Sequence, residues 1–273
     1  MYRIFLFCLT LMLICGLNVG NAAVVEVGFL YLGDNGPFTK PAMEFAKDTF
    51  KTTVLGKGDI KSDKLKNFAV VWWNEGDSDP GALTNAELDA FMDYAESGGA
   101  LLLTGKAFSY ATPMGLENAQ PRAFGPKLDD GSKVGIIVLK ETLDLGLVEG
   151  LENVDGDAPE VNDWIQVNST GFPKSGDYFD SLAKNFTTLA HAWEGGTNYA
   201  ARIAAFGYWK AGDGKVFNMN WRLPNYHKNN ESIDQLEQLT ENVINWLASE
   251  SAYLDVSSRG KLPVVWGNLK NQR

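Results

Sequence analysis

Residues 70–77 read VVWWNEGD, an apolar run that breaks within a few positions into two tryptophans, an amide and two carboxylates. Side chains alternate along a strand, so Trp72 and Trp73 are expected on opposite faces of a sheet. One would close the core beneath a helix. The other would roof a cleft, with Asn74, Glu75 and Asp77 in the loop beyond it. A ring beside a carboxylate and an amide suits a polyhydroxylated ligand, because the ring covers apolar C–H faces and the carboxylate accepts from hydroxyls. The same residues also have a purely structural reading, in which both tryptophans are core and Glu75 and Asp77 solvate or cap the turn.

A second stretch, FNMNWRLPNYH (217–227), offers Asn220, Trp221 and Arg222 for hydrogen bonding and stacking. If its strand neighbours the central ones, these residues would face Trp73 and Glu75 across one cleft. The chain has two histidines, His191 in TTLAHAWEGG beside Trp193 and Glu194, and His227. They have no H-x-H or H-x-x-x-H spacing, so neither a metal nor a cofactor is expected. Glu75, Glu194 and His227 are the candidates for acid–base chemistry. Glycoside chemistry would need two carboxylates roughly 5–9 Å apart across a cleft. Ser109 lacks a G-x-S-x-G setting and a histidine at motif spacing, so no serine hydrolase is expected.

The elements that would position these groups are legible as alternating apolar runs. VVEVGFLYLG (24–33), FAVVWWN (68–74) and ALLLTG (100–105) read as buried strands. PAMEFAKDTFKTT (41–53) has helical spacing. The next helix carries a T-x-x-E capping box at Thr84 and Glu87, an apolar stripe from Leu88 to Ala95, and a Gly98-Gly99 stop. Strand, helix, strand, helix, strand with short joints predicts a parallel sheet covered on both faces. Further on, 133–140, 187–193, 200–210 and 215–222 read as strands, with a hairpin turn at 211–214 and a turn-rich stretch at 145–161. A closing helix is expected over 231–249. The fold class is therefore α/β, a mostly parallel sheet flanked by helices, with antiparallel strands in the C-terminal half.

The first 22 residues combine Arg3, an apolar stretch from Ile4 to about Cys15, and small residues ahead of Ala23. That is the anatomy of a secretory signal peptide, shorter than the roughly 20 apolar residues of a membrane span. Export, to the outside or to a periplasm, is the expectation, with no membrane span after cleavage. Both cysteines, Cys8 and Cys15, lie inside that segment, so residues 23–273 hold no disulfide, thiolate site or cysteine nucleophile. The formal net charge is −10, and loss of Arg3 makes it more negative. With no basic run, nucleic acid is not expected as a partner. Residues 23–249 read as one domain and 250–273 as a tail whose LPVVWGNL patch could dock on a protein. NST (168–170), NFT (185–187) and NES (230–232) match the N-glycosylation acceptor pattern.

LTNAELDAFMDYAESGGALLLTG (83–105) resembles the helix, Gly-Gly and strand of the class I glutamine amidotransferase-like superfamily, especially its trehalose-utilisation (ThuA-like) branch. DLGLVEGLENV (144–154) resembles a turn of that branch, without its His-Pro. The segment from AAFGYWKAGDGKVFNMNWRLPNYHKNN (204–230) to LTENVINWLAS (239–249) resembles its closing strand, turn, strand and helix. The resemblance spans residues 24–249 and implies a flavodoxin-like outline. It also implies a cysteine on a tight turn after the third strand, where this chain has Thr104, Gly105 and Lys106. Glutamine hydrolysis is thereby excluded. Lys106, standing where the nucleophile would be, could bind an anion or simply face solvent. The leading expectation is an exported, non-catalytic domain binding a small polar ligand, a carbohydrate first. A structural or protein-interaction module and a sugar-directed hydrolase or isomerase stand as the alternatives.

Overall fold

The computed structural model describes residues 24–33, 36–76, 81–124, 133–172, 176–198 and 203–254. The proposed signal segment, Asp77 and the LPVVWGNL patch lie outside them.

Apolar content on both sides of a strand forces it into the middle of a sheet. The runs EVGFL and VVWWN do this as β1 (Glu26–Leu30) and β3 (Val70–Asn74). Between them come α1 (Thr39–Thr49), β2 (Lys51–Leu55) and the short α2 (Ser62–Leu65). The helix expected over 41–53 thus stops early, and its β-branched end Thr52-Thr53-Val54 forms a largely exposed edge strand instead. Then follow α3 (Asn85–Glu96) and β4 (Ala100–Thr104). The α3 start is the expected capping box: Thr84 accepts from the Glu87 backbone, and Glu87 accepts from the Thr84 backbone at 2.7 Å. Its stop is Gly98, at φ 99°, where a Cβ would stand 2.6 Å from that of Ala252.

The second half supplies β5 (Arg122–Phe124), β6 (Val134–Val138), α4 (Lys140–Leu145), β7 (Trp164–Asn168) and β8 (Gly176–Tyr178). It ends with β9 (Phe186–Glu194), β10 (Thr197–Asn198), β11 (Ala204–Ala211), β12 (Gly214–Met219) and α5 (Ile233–Glu250). Among the described residues one sheet runs β2-β1-β3-β4-β12-β11-β9-β6-β7, with β10 paired to β9. Its strands are parallel from β2 to β12 and antiparallel from β12 onward. β5 and β8 pair separately. β5 and β8, of three residues each, give too little periodicity to be read from sequence alone, whereas β7 is as long as β1 and β3 and was missed although WIQVN begins with an alternating pattern.

The two faces are covered differently. Trp73 stacks on Phe91 of α3, with ring centroids 5.0 Å apart. On the other face Trp72 meets Phe45 of α1, and Phe217 meets Trp246 of α5. The α3-side core continues through Leu101, Leu103 and Phe108 to Trp209. Residues Val25–Leu254 form one unit, in which Tyr253 stacks on Tyr94. Among the described residues, no helix is long and apolar enough to cross a membrane.

Candidate functional site

In an open α/β sheet the natural ligand crevice lies at the carboxyl ends of the strands, where the strand order reverses. Here that point is between β1 and β3, since β1 has β2 on its other side. Glu75, the residue after β3, occupies it. Its carboxylate accepts from the backbone N–H groups of Leu32 at 2.5 Å and Gly33 at 2.8 Å, both just past β1, and from Trp73 Nε1 at 2.5 Å. Only 1% of Glu75 is exposed. The carboxylate therefore holds the two strand ends together across the crevice.

The tryptophans do face opposite ways, and neither is open to solvent. Trp73 lies between Phe91 and Tyr110. Trp72 packs on Phe29 and Tyr226 and donates to Thr104 Oγ1 at 2.9 Å. Asn74 is buried beside them. Its Oδ1 accepts from the Gly76 N–H at 3.1 Å, while its Nδ2 has no hydrogen-bond partner among the described residues.

The turn after β4 is closed just as tightly. Gly105 has φ 61°, in the left-handed region, and a Cβ there would lie 2.5 Å from Gly76 O and 2.7 Å from Gly76 N. Both neighbours are backbone, so no side chain fits. Lys106 is partly exposed and donates its backbone N–H to Gly76 O at 3.1 Å.

Beyond β12 the chain does something costlier. Trp221 and Arg222 are consecutive non-glycine residues at φ 55° and 61°, and both are buried. Such conformations cost on the order of 1–3 kcal/mol each and persist only where surrounding contacts hold them. Arg222 is held by Glu194, with Nη1 3.4 Å from Oε1, and by Gly171 O at 3.2 Å. Asn220 is buried and donates its backbone N–H to Ala205 O. Glu194 points to the opposite face of β9 from His191 and Trp193, which pair with β6 at Ile137 and Gly135. Trp193 stacks there on Trp164 at 3.7 Å. Burial lowers the pKa of His191, and a hydrogen bond with the Ile203 backbone opposes that shift.

The sequence candidates thus separate. Trp73, Asn74 and Glu75 fill the crevice, and Asn220, Trp221, Arg222 and Glu194 form a buried cluster. His191 lies on the far half of the sheet. His227 lines an open pocket, of about 460 Å³. Phe38, just before α1, packs against Gly76 on one side and approaches the His227 ring at 6.2 Å on the other. One layer of side chain therefore separates the closed crevice from this pocket.

Its wall combines Phe38 and Phe172 with Ser169, Thr170 and Asn229, and it carries one carboxylate, Glu231. The floor is a lattice of three buried asparagines. Asn168 donates to Phe172 O at 2.5 Å and Arg222 O at 2.7 Å, and its Oδ1 accepts from Thr170 N at 2.9 Å and Asn225 Nδ2 at 3.0 Å. Asn225 also donates to Thr170 Oγ1 and accepts from His227 N. Asn230 donates to Val167 O and Asn225 O, both at 2.9 Å, and accepts from Ser169 N and Ser232 N. Every one of these amide groups is matched, which makes the floor rigid.

Sequence reasoning missed this lattice, although its signal was visible. Asn168 and Asn230 are the first residues of two N-x-S/T matches. In both, the Asn side chain accepts from the backbone N–H two residues on, an Asx turn that favours the same residue types. Among the described residues, no group of three or more His, Cys, Asp or Glu is placed to hold a metal ion.

No protein-family model matches the sequence, and no curated protein matches it significantly. Solved structures do resemble it. The structure titled PurLQS, from Thermotoga maritima, matches with a TM-score of 0.50 at 17% identity, over 82% of this chain and 99% of that one. A protein described as a putative GMP synthase subunit, from Thermoplasma acidophilum, matches with a TM-score of 0.49 at 16% identity, over 83% of this chain and 95% of that one. At such identities the likeness concerns the fold. With its β2-β1-β3-β4-β12 parallel half and helices on both faces, the chain has the class I glutamine amidotransferase-like α/β fold.

Proposed function

We propose that this chain is an exported, non-catalytic member of the amidotransferase-like superfamily, closest to its ThuA-like branch, and that it binds a small polyhydroxylated ligand. The observation that carries this reading is the His227 pocket. Two aromatic rings, two hydroxyls, an exposed amide and one carboxylate surround an opening above a pre-ordered floor. Rings for C–H faces and fixed polar groups for hydroxyls are what a carbohydrate needs. Catalysis is disfavoured for three reasons. There is no cysteine after Cys15, Gly105 cannot carry any side chain, and Glu75 and Glu194 are buried with partners of their own.

A second reading, a protein-interaction module of an exported assembly, has its own support. Trp73 and Trp221, at the strand ends where this fold would otherwise hold a ligand, are both fully buried.

Thermal unfolding of the purified protein against saccharides, amino acids, phosphates and divalent metals separates the two. A ligand at about 100 times its Kd stabilises by about 2.7 kcal/mol, which corresponds to a rise of roughly 5–10 °C in Tm for a chain of this size. A saturating rise with one saccharide class, removed by His227→Ala or Asn229→Ala, supports the ligand reading. No shift with any compound would turn the search to protein partners.

A further inference from the structure

His227 and Pro37 line two adjoining hollows. The first is the pocket of about 460 Å³ between Phe172, Asn229 and Glu231. The second, of about 600 Å³, lies along the start of α1, with Lys40, Pro41, Glu44 and Lys228 in its wall. Either volume alone falls within the ~300–1,000 Å³ of an ordinary small-molecule site, so together they exceed what one sugar ring would use.

We propose that the site takes a saccharide of at least two linked rings, one in each hollow, with His227 at the junction. This rests on the carbohydrate reading above and specifies the ligand's size and pose. The chemistry of the second hollow suits a hydroxylated ring as well as the first does. Lys40 and Lys228 supply donors, Glu44 an acceptor, and Pro37 and Pro41 apolar surface for C–H groups. All four of Pro37, Lys40, Glu44 and Lys228 are exposed.

His227 is built to stand between two rings. Its backbone N–H donates to Asn225 Oδ1, and its Nδ1 accepts from the Asn229 N–H, both at 3.2 Å. Acceptance at Nδ1 fixes the proton of the neutral ring on Nε2. That Nε2–H has no hydrogen-bond partner among the described residues. It is therefore a donor held at the partition, suited to the bridging oxygen or to a hydroxyl next to it. Once one ring is seated, binding of the second is intramolecular, so a linked pair gains over a single ring.

Isothermal titration of the full chain with matched pairs tests this: glucose with maltose and cellobiose, galactose with lactose, mannose with mannobiose, and N-acetylglucosamine with chitobiose. For the sugar that binds, the disaccharide Kd is expected at least about tenfold below that of its monosaccharide. The double variant Lys40→Ala, Lys228→Ala should erase that gain, bringing the disaccharide Kd to within about twofold of its monosaccharide's, because both lysines line the second hollow and neither lines the first. Asn229→Ala should weaken both sugars. Equal binding of one and two rings would overturn the proposal and leave the carbohydrate reading standing. A gain that survives the double variant would overturn the placement of the second ring. Absence of binding by every sugar, with the protein folded, would remove both readings together.

Discussion

The backbone of Gly105 lies against the backbone of Gly76, so close that a Cβ on Gly105 would stand 2.5 Å from the Gly76 carbonyl oxygen. Installing a nucleophile at this turn is therefore a test of the fold. Gly105→Cys adds a left-handed penalty to a backbone clash, and a loss of on the order of 3–5 kcal/mol is expected, with no glutaminase activity gained. Urea unfolding measures it. A variant as stable as the parent would mean that the two loops separate easily and that the turn is open in solution.

Glu75 gives the second prediction. Truncation to alanine leaves the amides of Leu32 and Gly33 and the Trp73 indole N–H without their acceptor. At about 1–3 kcal/mol for each buried donor left unpaired, a loss of roughly 4 kcal/mol or more is expected, and Glu75→Gln should lose less because one oxygen remains. Chemical denaturation of both variants provides the check. If Glu75→Ala cost under about 1 kcal/mol, the clasp across the strand ends would carry little weight.

In the pocket, two neighbouring asparagines should behave in opposite ways. Asn225 is buried and ties Asn168 to Thr170, whereas Asn229 is exposed. Asn225→Ala is expected to cost about 2–4 kcal/mol through its broken network, and Asn229→Ala to stay within about 0.5 kcal/mol of the parent. Comparing their thermal midpoints, before any ligand is known, tests whether the floor is as rigid as its hydrogen bonds imply.

His191 should make stability depend on pH. Burial lowers its folded pKa below the ordinary value of 6.5. Between the two values the unfolded chain binds more protons, so stability rises with pH across that window. The contribution is complete above about pH 6.5 and is lost as pH falls towards the folded pKa. His191→Gln removes this proton uptake. Thermal scans from pH 8 down to pH 5 should show the parent losing more stability than the variant below about pH 6.5. Parallel curves would mean that His191 is solvated in the native state.

Much of the frame was legible because it depends on local pattern. Buried strands such as ALLLT, the Thr84–Glu87 box and the Gly98 stop each announce themselves within a few residues. Opposite orientation of Trp72 and Trp73 also followed from alternation alone. What covers each of them did not, since Phe91 and Tyr226 lie far along the chain. Glu75 is the clearest case. Its carboxylate is plain in the sequence, but its partners at 32 and 33 are backbone amides, which every residue but proline carries and which leave no signature of type. The pocket residues were hidden for another reason: two of the asparagines that build the lattice read equally well as glycan acceptors.

That double meaning has a consequence for biogenesis. The side-chain nitrogens of Asn168 and Asn230 are spent inside the protein, whereas Asn185 is exposed. A glycan attached to either buried residue during translocation would occupy the space of a carbonyl partner and exclude the native state. In a secretory route equipped with an oligosaccharyltransferase, folding and modification would compete for the same two nitrogens, and only Asn185 could carry a sugar on the finished molecule. Heterologous production in a glycosylating host would therefore lower the yield of folded protein, and a non-glycosylating host would spare it.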